Sequence, residues 1–240
     1  MIRTFFLWTF FGISISIGHL VGLIFSIFYR REEVFYRIAL FIPKGSLWIG
    51  GIKVEIMGAE NIPKENMIFV SNHQSTTDGF IFLVLVPRYF RFAVMQQIFA
   101  VPILGGFIKK IGYILLDLTN PKQALIGIWK IFNLLQRGET FVIFPEGGRS
   151  PDGRLLEFRA GAAMLILEAK KRVVPVAILN SYKVMQRDDL LGIRVRPGLV
   201  RVRVGKPMTF DEYQEVNLEN ARTVSARLKE TIQRLISEYP

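Results

Sequence analysis

The sequence predicts an α/β protein: a mostly parallel or mixed central sheet flanked by helices, carried behind an N-terminal hydrophobic helical membrane anchor. Three observations predict it. Residues 5–28 contain no formally charged side chain. Beyond about Gly51 short β-rich runs alternate with helical patterns. A polar cluster, residues 72–78, interrupts one such alternation between a strand-like run and an apolar helical run, where an open α/β sheet presents its chemistry.

The N-terminal run would be about 36 Å long as a helix, enough to cross a bilayer, and it is apolar on every side. Arg3 is the only basic residue ahead of it and no Ala-x-Ala site follows, so it reads as a retained anchor rather than a cleaved leader. Arg30, Arg31, Arg37 and Lys44 follow it. That asymmetry expects a location at the inner (cytoplasmic) membrane with the remaining chain on the cytoplasmic side. A second apolar stretch, residues 34–52, is interrupted by Arg37, Pro43 and Lys44, which suits an interfacial or returning helix. A hairpin held in one leaflet and a single crossing both fit. The organisation expected is an anchoring segment, residues 1–50, and a catalytic domain, residues 51–240.

Within the second part the expected strands are residues 53–57, 67–71, 90–95, 113–117, 141–144, 173–178 and 200–204. The expected helices are residues 77–85, 121–136, 160–171 and 218–237. Pro121 suits a first helical turn, with Thr119 or Asn120 as its cap.

Composition narrows the chemistry. The formal charge of +11 favours anionic partners: nucleic acid, an anionic bilayer, phosphorylated substrates or an acidic carrier protein. The aromatics sit inside apolar runs rather than alternating with basic residues, which argues against a nucleic-acid stacking platform. The absence of cysteine removes disulfides, thiolate nucleophiles and cysteine-ligated zinc. With His19 and His73 the only histidines, no multi-histidine metal site can form, and any imidazole chemistry falls to one of these two.

The run Asn72-His73-Gln74-Ser75-Thr76-Thr77-Asp78 places a carboxylate near the first turn of the following helix. There it can hold one imidazole nitrogen and leave the other to take a proton. A loop histidine beside an acidic helix cap has the same spacing. Ser75, Thr76 and Thr77 lack the Gly-x-Ser-x-Gly setting of a covalent nucleophile, so direct attack by a substrate hydroxyl is the simpler chemistry. The second cluster is Pro145-Glu146-Gly147-Gly148-Arg149-Ser150-Pro151-Asp152-Gly153. Its glycines and arginine can converge amides and a guanidinium on one anion, with Glu146 holding Arg149 or a substrate hydroxyl. An ordinary Gly/Pro/Asp turn is the other reading.

Together, Asn72-His73 with Asp78 and Phe144-Pro145-Glu146-Gly147 with Arg149-Ser150 resemble the glycerolipid acyltransferase family. The likeness extends through residues 112–117, Phe158-Arg159-Ala160-Gly161-Ala162 and residues 174–178, and so covers roughly residues 52–205. It implies a membrane enzyme with no metal or other cofactor, in which His73, oriented by Asp78, deprotonates the sn-2 hydroxyl of a lysophospholipid, lysophosphatidate. That hydroxyl attacks the thioester of an acyl-CoA or acyl-carrier protein donor and yields phosphatidic acid. Glu146, Gly147 and Arg149 match the family's acceptor-binding motif, Arg149 facing the phosphate. Three positions depart from the family pattern: Gly148 replaces a threonine, Leu118 an arginine, and Met95-Gln96-Gln97 lacks a lysine. A different lysolipid acceptor is therefore an alternative. A hydrolase using His73 to activate water, and a non-catalytic membrane or nucleic-acid binding module, are the rivals from other classes.

Among the remaining basic residues, Arg194 with Arg196 and Arg201 with Arg203 have strand spacing and suit a solvated face, or docking to anionic lipid or an acidic carrier. Lys109-Lys110 and Lys170-Lys171-Arg172 read as helix-end charges, and His19 as a helix-contact residue.

Overall fold

The computed structural model describes residues 1–186 and 194–238. It opens with three helices, α1 (Ile2–Phe25), α2 (Arg31–Ala39) and α3 (Phe41–Gly50). Helix α1 is long and apolar enough to cross a membrane by length and composition. It does not stand apart from the rest. Leu7 and Ile15 of α1, Phe35 of α2 and Ile42 of α3 lie in one buried cluster with Phe80, Ile81 and Phe107 from the rest of the chain. Gly22 lets α2 approach, since a Cβ there would fall 2.6 Å from the Phe35 ring. The opposite side of α1 exposes Phe5, Phe6, Ile13, Ile17, Leu20 and Ile24. His19 is a helix-contact residue, its Nε2 lying 3.2 Å from Lys110 Nζ.

The second apolar stretch begins earlier than its pattern suggests and is two helices. Pro43 falls in the first turn of α3, where its missing N–H leaves no hydrogen bond unmade, so it marks a start rather than an interruption.

The remaining chain runs β1 (Ile52–Met57), β2 (Ile68–Ser71), α4 (Thr77–Leu85), β3 (Arg91–Met95), α5 (Gln96–Phe99), α6 (Leu104–Ile111), β4 (Ile114–Leu116), α7 (Pro121–Gln136) and β5 (Phe141–Ile143). It continues through α8 (Ala160–Ala169), β6 (Val173–Leu179), α9 (Ser181–Val184), β7 (Met185–Gln186), β8 (Arg194–Val195), β9 (Gly198–Val204) and α10 (Leu218–Ser237). The expected helix at 160–171 stops early because Lys170 takes a left-handed backbone, φ +48°. Helices α5 and α9 and the small β7–β8 pair are too short to carry a sequence period and were not expected; α6, not among the expected helices, carries Lys109 and Lys110 in its last turn, in keeping with their reading as helix-end charges. Pro121 occupies the first turn of α7, and the Asn120 side chain accepts from the amides of Lys122 and Gln123.

Seven strands form one sheet in the order β1-β9-β6-β2-β5-β3-β4. Only the β6–β9 pairing is antiparallel. Alternate side chains feed two cores: Phe69, Val142 and Val176 face the side carrying α1 to α4 and α6, while Ile68, Val70, Phe141 and Ile143 face α7, α8 and α10. Because β2 and β5 are adjacent and parallel, the loops leaving them emerge together at one edge of the sheet.

At the opposite edge, Arg91 is only 4% exposed. Its guanidinium meets Glu32 of α2 at 2.6 Å and Glu139 at 3.2 Å, and donates to the Gly112 carbonyl at 2.6 Å. The Tyr36 and Tyr89 hydroxyls donate to the carbonyls of Arg88 and Ile111, and Arg91 lies over the Tyr89 ring. This cluster fastens α2 to the sheet.

Candidate active site

His73 lies two residues beyond β2, in the loop that turns into α4. Asn72 fixes the start of that loop. Its side chain donates to Ile178 O and accepts from Ile178 N, both at 2.8 Å, continuing the β2–β6 ladder past the end of the strand. Asp78, in the first turn of α4 and fully buried, folds back over the loop. Its Oδ2 accepts from the amides of Gln74 and Ser75 at 2.7 and 2.9 Å and lies 2.8 Å from His73 Nδ1. An oxygen already receiving two amides acts as an acceptor, so Nδ1 carries the proton and Nε2 presents a lone pair. Nε2 has no hydrogen bond among the described residues. The imidazole plane is set by Phe144, whose ring stacks on it at 4.1 Å between centroids and 16° between planes.

The second loop, after β5, is joined to the first along its backbone. Ser150 N donates to His73 O at 2.8 Å. Glu146 is 6% exposed and accepts from His73 N at 2.7 Å through one oxygen and from Leu156 N at 3.0 Å through the other. Both carboxylate oxygens are thus committed to backbone amides, and Glu146 clamps the loops rather than holding Arg149. Burial pushes its carboxyl above the ordinary glutamate range, opposed by those two amides. Arg149 instead donates from Nη1 to Thr76 Oγ1 at 2.9 Å, which brings a guanidinium onto the His73 loop.

Gly147 has φ +69°, and a Cβ there would fall 2.4 Å from Arg159 Nε, so a side chain at this position would be both strained and in collision. The structure therefore brings His73, Asp78, Glu146, Gly147 and Arg149 to one edge, all within two interlocked loops. Phe144, Asn72, Thr76 and Arg159 join them and were missed by sequence reasoning. All four stood inside quoted motifs, yet nothing local says that Asn72 bridges to Ile178, that Thr76 meets Arg149, that Phe144 stacks on His73 or that Arg159 crosses Gly147.

The basic pair on β9 behaves differently. Arg201 lies 3.5 Å from Glu55 and Arg203 lies 3.0 Å from Glu238, so both are matched by carboxylates. Among the described residues no group of three or more His, Asp or Glu side chains converges as a metal site.

A profile of the Acyltransferase family matches residues 53–179, an interval that contains both loops. The chain belongs to the acyltransferase family. Among the family's curated members, the chloroplastic 1-acyl-sn-glycerol-3-phosphate acyltransferase of Arabidopsis thaliana is 33% identical over 83% of this chain and 55% of its own length. The 1-acyl-sn-glycerol-3-phosphate acyltransferase of Borreliella burgdorferi is 27% identical over 73% of this chain and 70% of its own. This chain spans little more than half the length of the plant relatives it matches, 55% and 58% for two of them. The crystal structure of the acyltransferase PlsC from Thermotoga maritima, a 1-acyl-sn-glycerophosphate acyltransferase, superimposes with a TM-score of 0.76 at 24% identity, covering 99% of this chain and 97% of that one. The acyltransferase fold is thus shared along nearly the whole chain, N-terminal helices included.

Proposed function

We propose that this chain transfers a fatty acyl group from acyl-CoA or acyl-carrier protein to the sn-2 hydroxyl of 1-acylglycerol 3-phosphate, forming phosphatidic acid for phospholipid synthesis. The observation that carries the reading is the His73 imidazole: Nδ1 is held by a buried carboxylate, Nε2 is open, and a glycine-arginine turn lies alongside. His73 Nε2 takes the proton of the acceptor hydroxyl as its oxygen attacks the thioester carbonyl. The C–S bond then breaks, and the departing thiolate recovers a proton from the imidazolium. Asp78 stabilises the imidazolium and fixes its tautomer. Arg149 binds the acceptor phosphate through a guanidinium suited to two-point contact with phosphate oxygens, and Glu146 and Gly147 shape the turn that presents it. The relatives named 1-acyl-sn-glycerol-3-phosphate acyltransferases support this choice of acceptor.

The exposed apolar face of α1 is the surface proposed to enter lipid, delivering a lipid acceptor without crossing water. The basic residues following α1 support an orientation with the catalytic loops on the cytoplasmic side of the inner membrane.

The test is acyl transfer from labelled palmitoyl-CoA and palmitoyl-carrier protein to lysophosphatidate and a panel of other lysolipids, for wild type and His73→Ala in detergent. Transfer to lysophosphatidate that disappears in the variant is the expected result. Transfer to another lysolipid alone replaces the acceptor, and free fatty acid released without any acceptor replaces the reaction with hydrolysis.

A further inference from the structure

We infer that Arg159 is a second binding residue for the acceptor's phosphate monoester, acting with Arg149; this rests on the proposed lysophosphatidate reaction. Three observations lead to it. The Arg159 amide donates to Pro145 O at 2.9 Å, which ties the start of α8 to the turn after β5. Its side chain then runs back across that turn: an added Cβ on Gly147 would meet Arg159 Nε, Cδ and Cζ at 2.4, 2.9 and 3.0 Å. The stem is thereby laid against a glycine adjacent to Glu146, the residue whose carboxylate holds the His73 amide.

The charge at the end of this stem is not neutralised. Arg159 is exposed and forms no ion pair among the described residues. The carboxylates of its own loop are otherwise engaged: Glu146 accepts from the amides of His73 and Leu156, Asp152 accepts from Ser150 Oγ and Arg154 N, and Glu157 pairs with Lys229. The turn it crosses is open at the next residue, since a Cβ on Gly148 would meet no atom within 4 Å. A surface arginine ordinarily spends entropy to hold one geometry. Here the missing glycine side chain limits that cost by giving the stem a bed, and leaves a guanidinium without a counter-ion beside the histidine loop. A phosphate monoester provides that counter-ion with geometry to match.

The closing experiment uses the full chain in detergent and measures KM for lysophosphatidate and for palmitoyl-CoA in wild type, Arg159→Met and Arg159→Lys. Methionine keeps an apolar stem over Gly147 and removes only the charge. The expected result is a KM for lysophosphatidate raised about 10- to 100-fold in Arg159→Met, the loss of one charge-assisted contact, with lysine recovering part of it. The KM for palmitoyl-CoA stays within about twofold. Preference for lysophosphatidate over monoacylglycerol, which lacks the phosphate, narrows in the methionine variant by the same factor. Normal wild-type transfer to lysophosphatidate with an unchanged acceptor KM in Arg159→Met overturns the Arg159 assignment alone. A rise confined to the palmitoyl-CoA KM overturns it in favour of the donor's phosphates. Absence of wild-type transfer to lysophosphatidate overturns the proposed reaction and this assignment with it.

Discussion

Both edges of the sheet bury ionisable side chains, but they finish the job differently. At the edge where β3 and β5 begin, Arg91 is surrounded by Glu32, Glu139, the Gly112 carbonyl and the Tyr89 ring. Burial also raises the Tyr36 and Tyr89 phenols above their ordinary range, so both stay neutral donors. At the edge where β2 and β5 end, Asp78 Oδ2 and both Glu146 oxygens are held by backbone amides, yet the network stops at His73 Nε2, which has no hydrogen-bond partner among the described residues. A cluster whose polar atoms all find partners within the protein is a staple. One that leaves His73 Nε2 open, and Asp78 Oδ1 buried with no hydrogen-bond partner among the described residues, is prepared for a ligand.

The largest effect that would break this contrast is at the open nitrogen. His73→Ala should lower acyl transfer by about 10²- to 10⁴-fold with an unchanged melting temperature, and Asp78→Asn should approach the same loss by misplacing the proton on the imidazole. Equal destabilisation of both would mean that this edge, too, is a staple. Arg91→Met should show the reverse. It leaves Glu139 and Glu32 without their cation, and urea unfolding should report a loss of about 3–5 kcal/mol while turnover per folded molecule holds.

Glu146 lies between the two kinds of site, a structural clamp within the functional edge. Glu146→Gln can satisfy only one of the two amides with its single carbonyl, and should cost about 1–3 kcal/mol in urea unfolding. Because burial raises the Glu146 carboxyl in the folded state, its protonated form favours folding. That contribution is complete below the ordinary glutamate value of about 4.3 and is lost as pH rises through the raised folded value. The stability margin of wild type over Glu146→Gln should therefore be wider at acid pH than at neutral pH. The smallest effect is expected where an ion pair is neither buried nor aimed at a site. Arg37 and Glu33 meet at 2.7 Å on the exposed side of α2, and Arg37→Ala should cost less than about 0.5 kcal/mol.

Much of this was legible before any coordinates. The seven strands of the main sheet and four of the helices after residue 50 follow from runs of β-rich and amphipathic residues, because the backbone period writes itself into the sequence over a few residues. The pairing of His73 with Asp78 was also legible, since both belong to one strand-to-helix turn and the carboxylate has only to fold back over it. Short helices such as α5 and α9 hold one turn each, too little to establish a period.

What the sequence by itself determined, then, is the set of local elements and the chemistry carried within each loop. The tertiary structure alone decided that Glu146 clamps the His73 amide instead of pairing with Arg149, that Phe144 stacks on the imidazole, that Arg159 crosses Gly147, and that α1 shares a core with the sheet's flanking helices. Each of these joins residues that meet only because β2 and β5 are neighbours in the sheet or because one helix face finds another. Strand order and helix docking are settled by the burial of whole faces against one another, a sum over many distant residues, and no short stretch of sequence records its result.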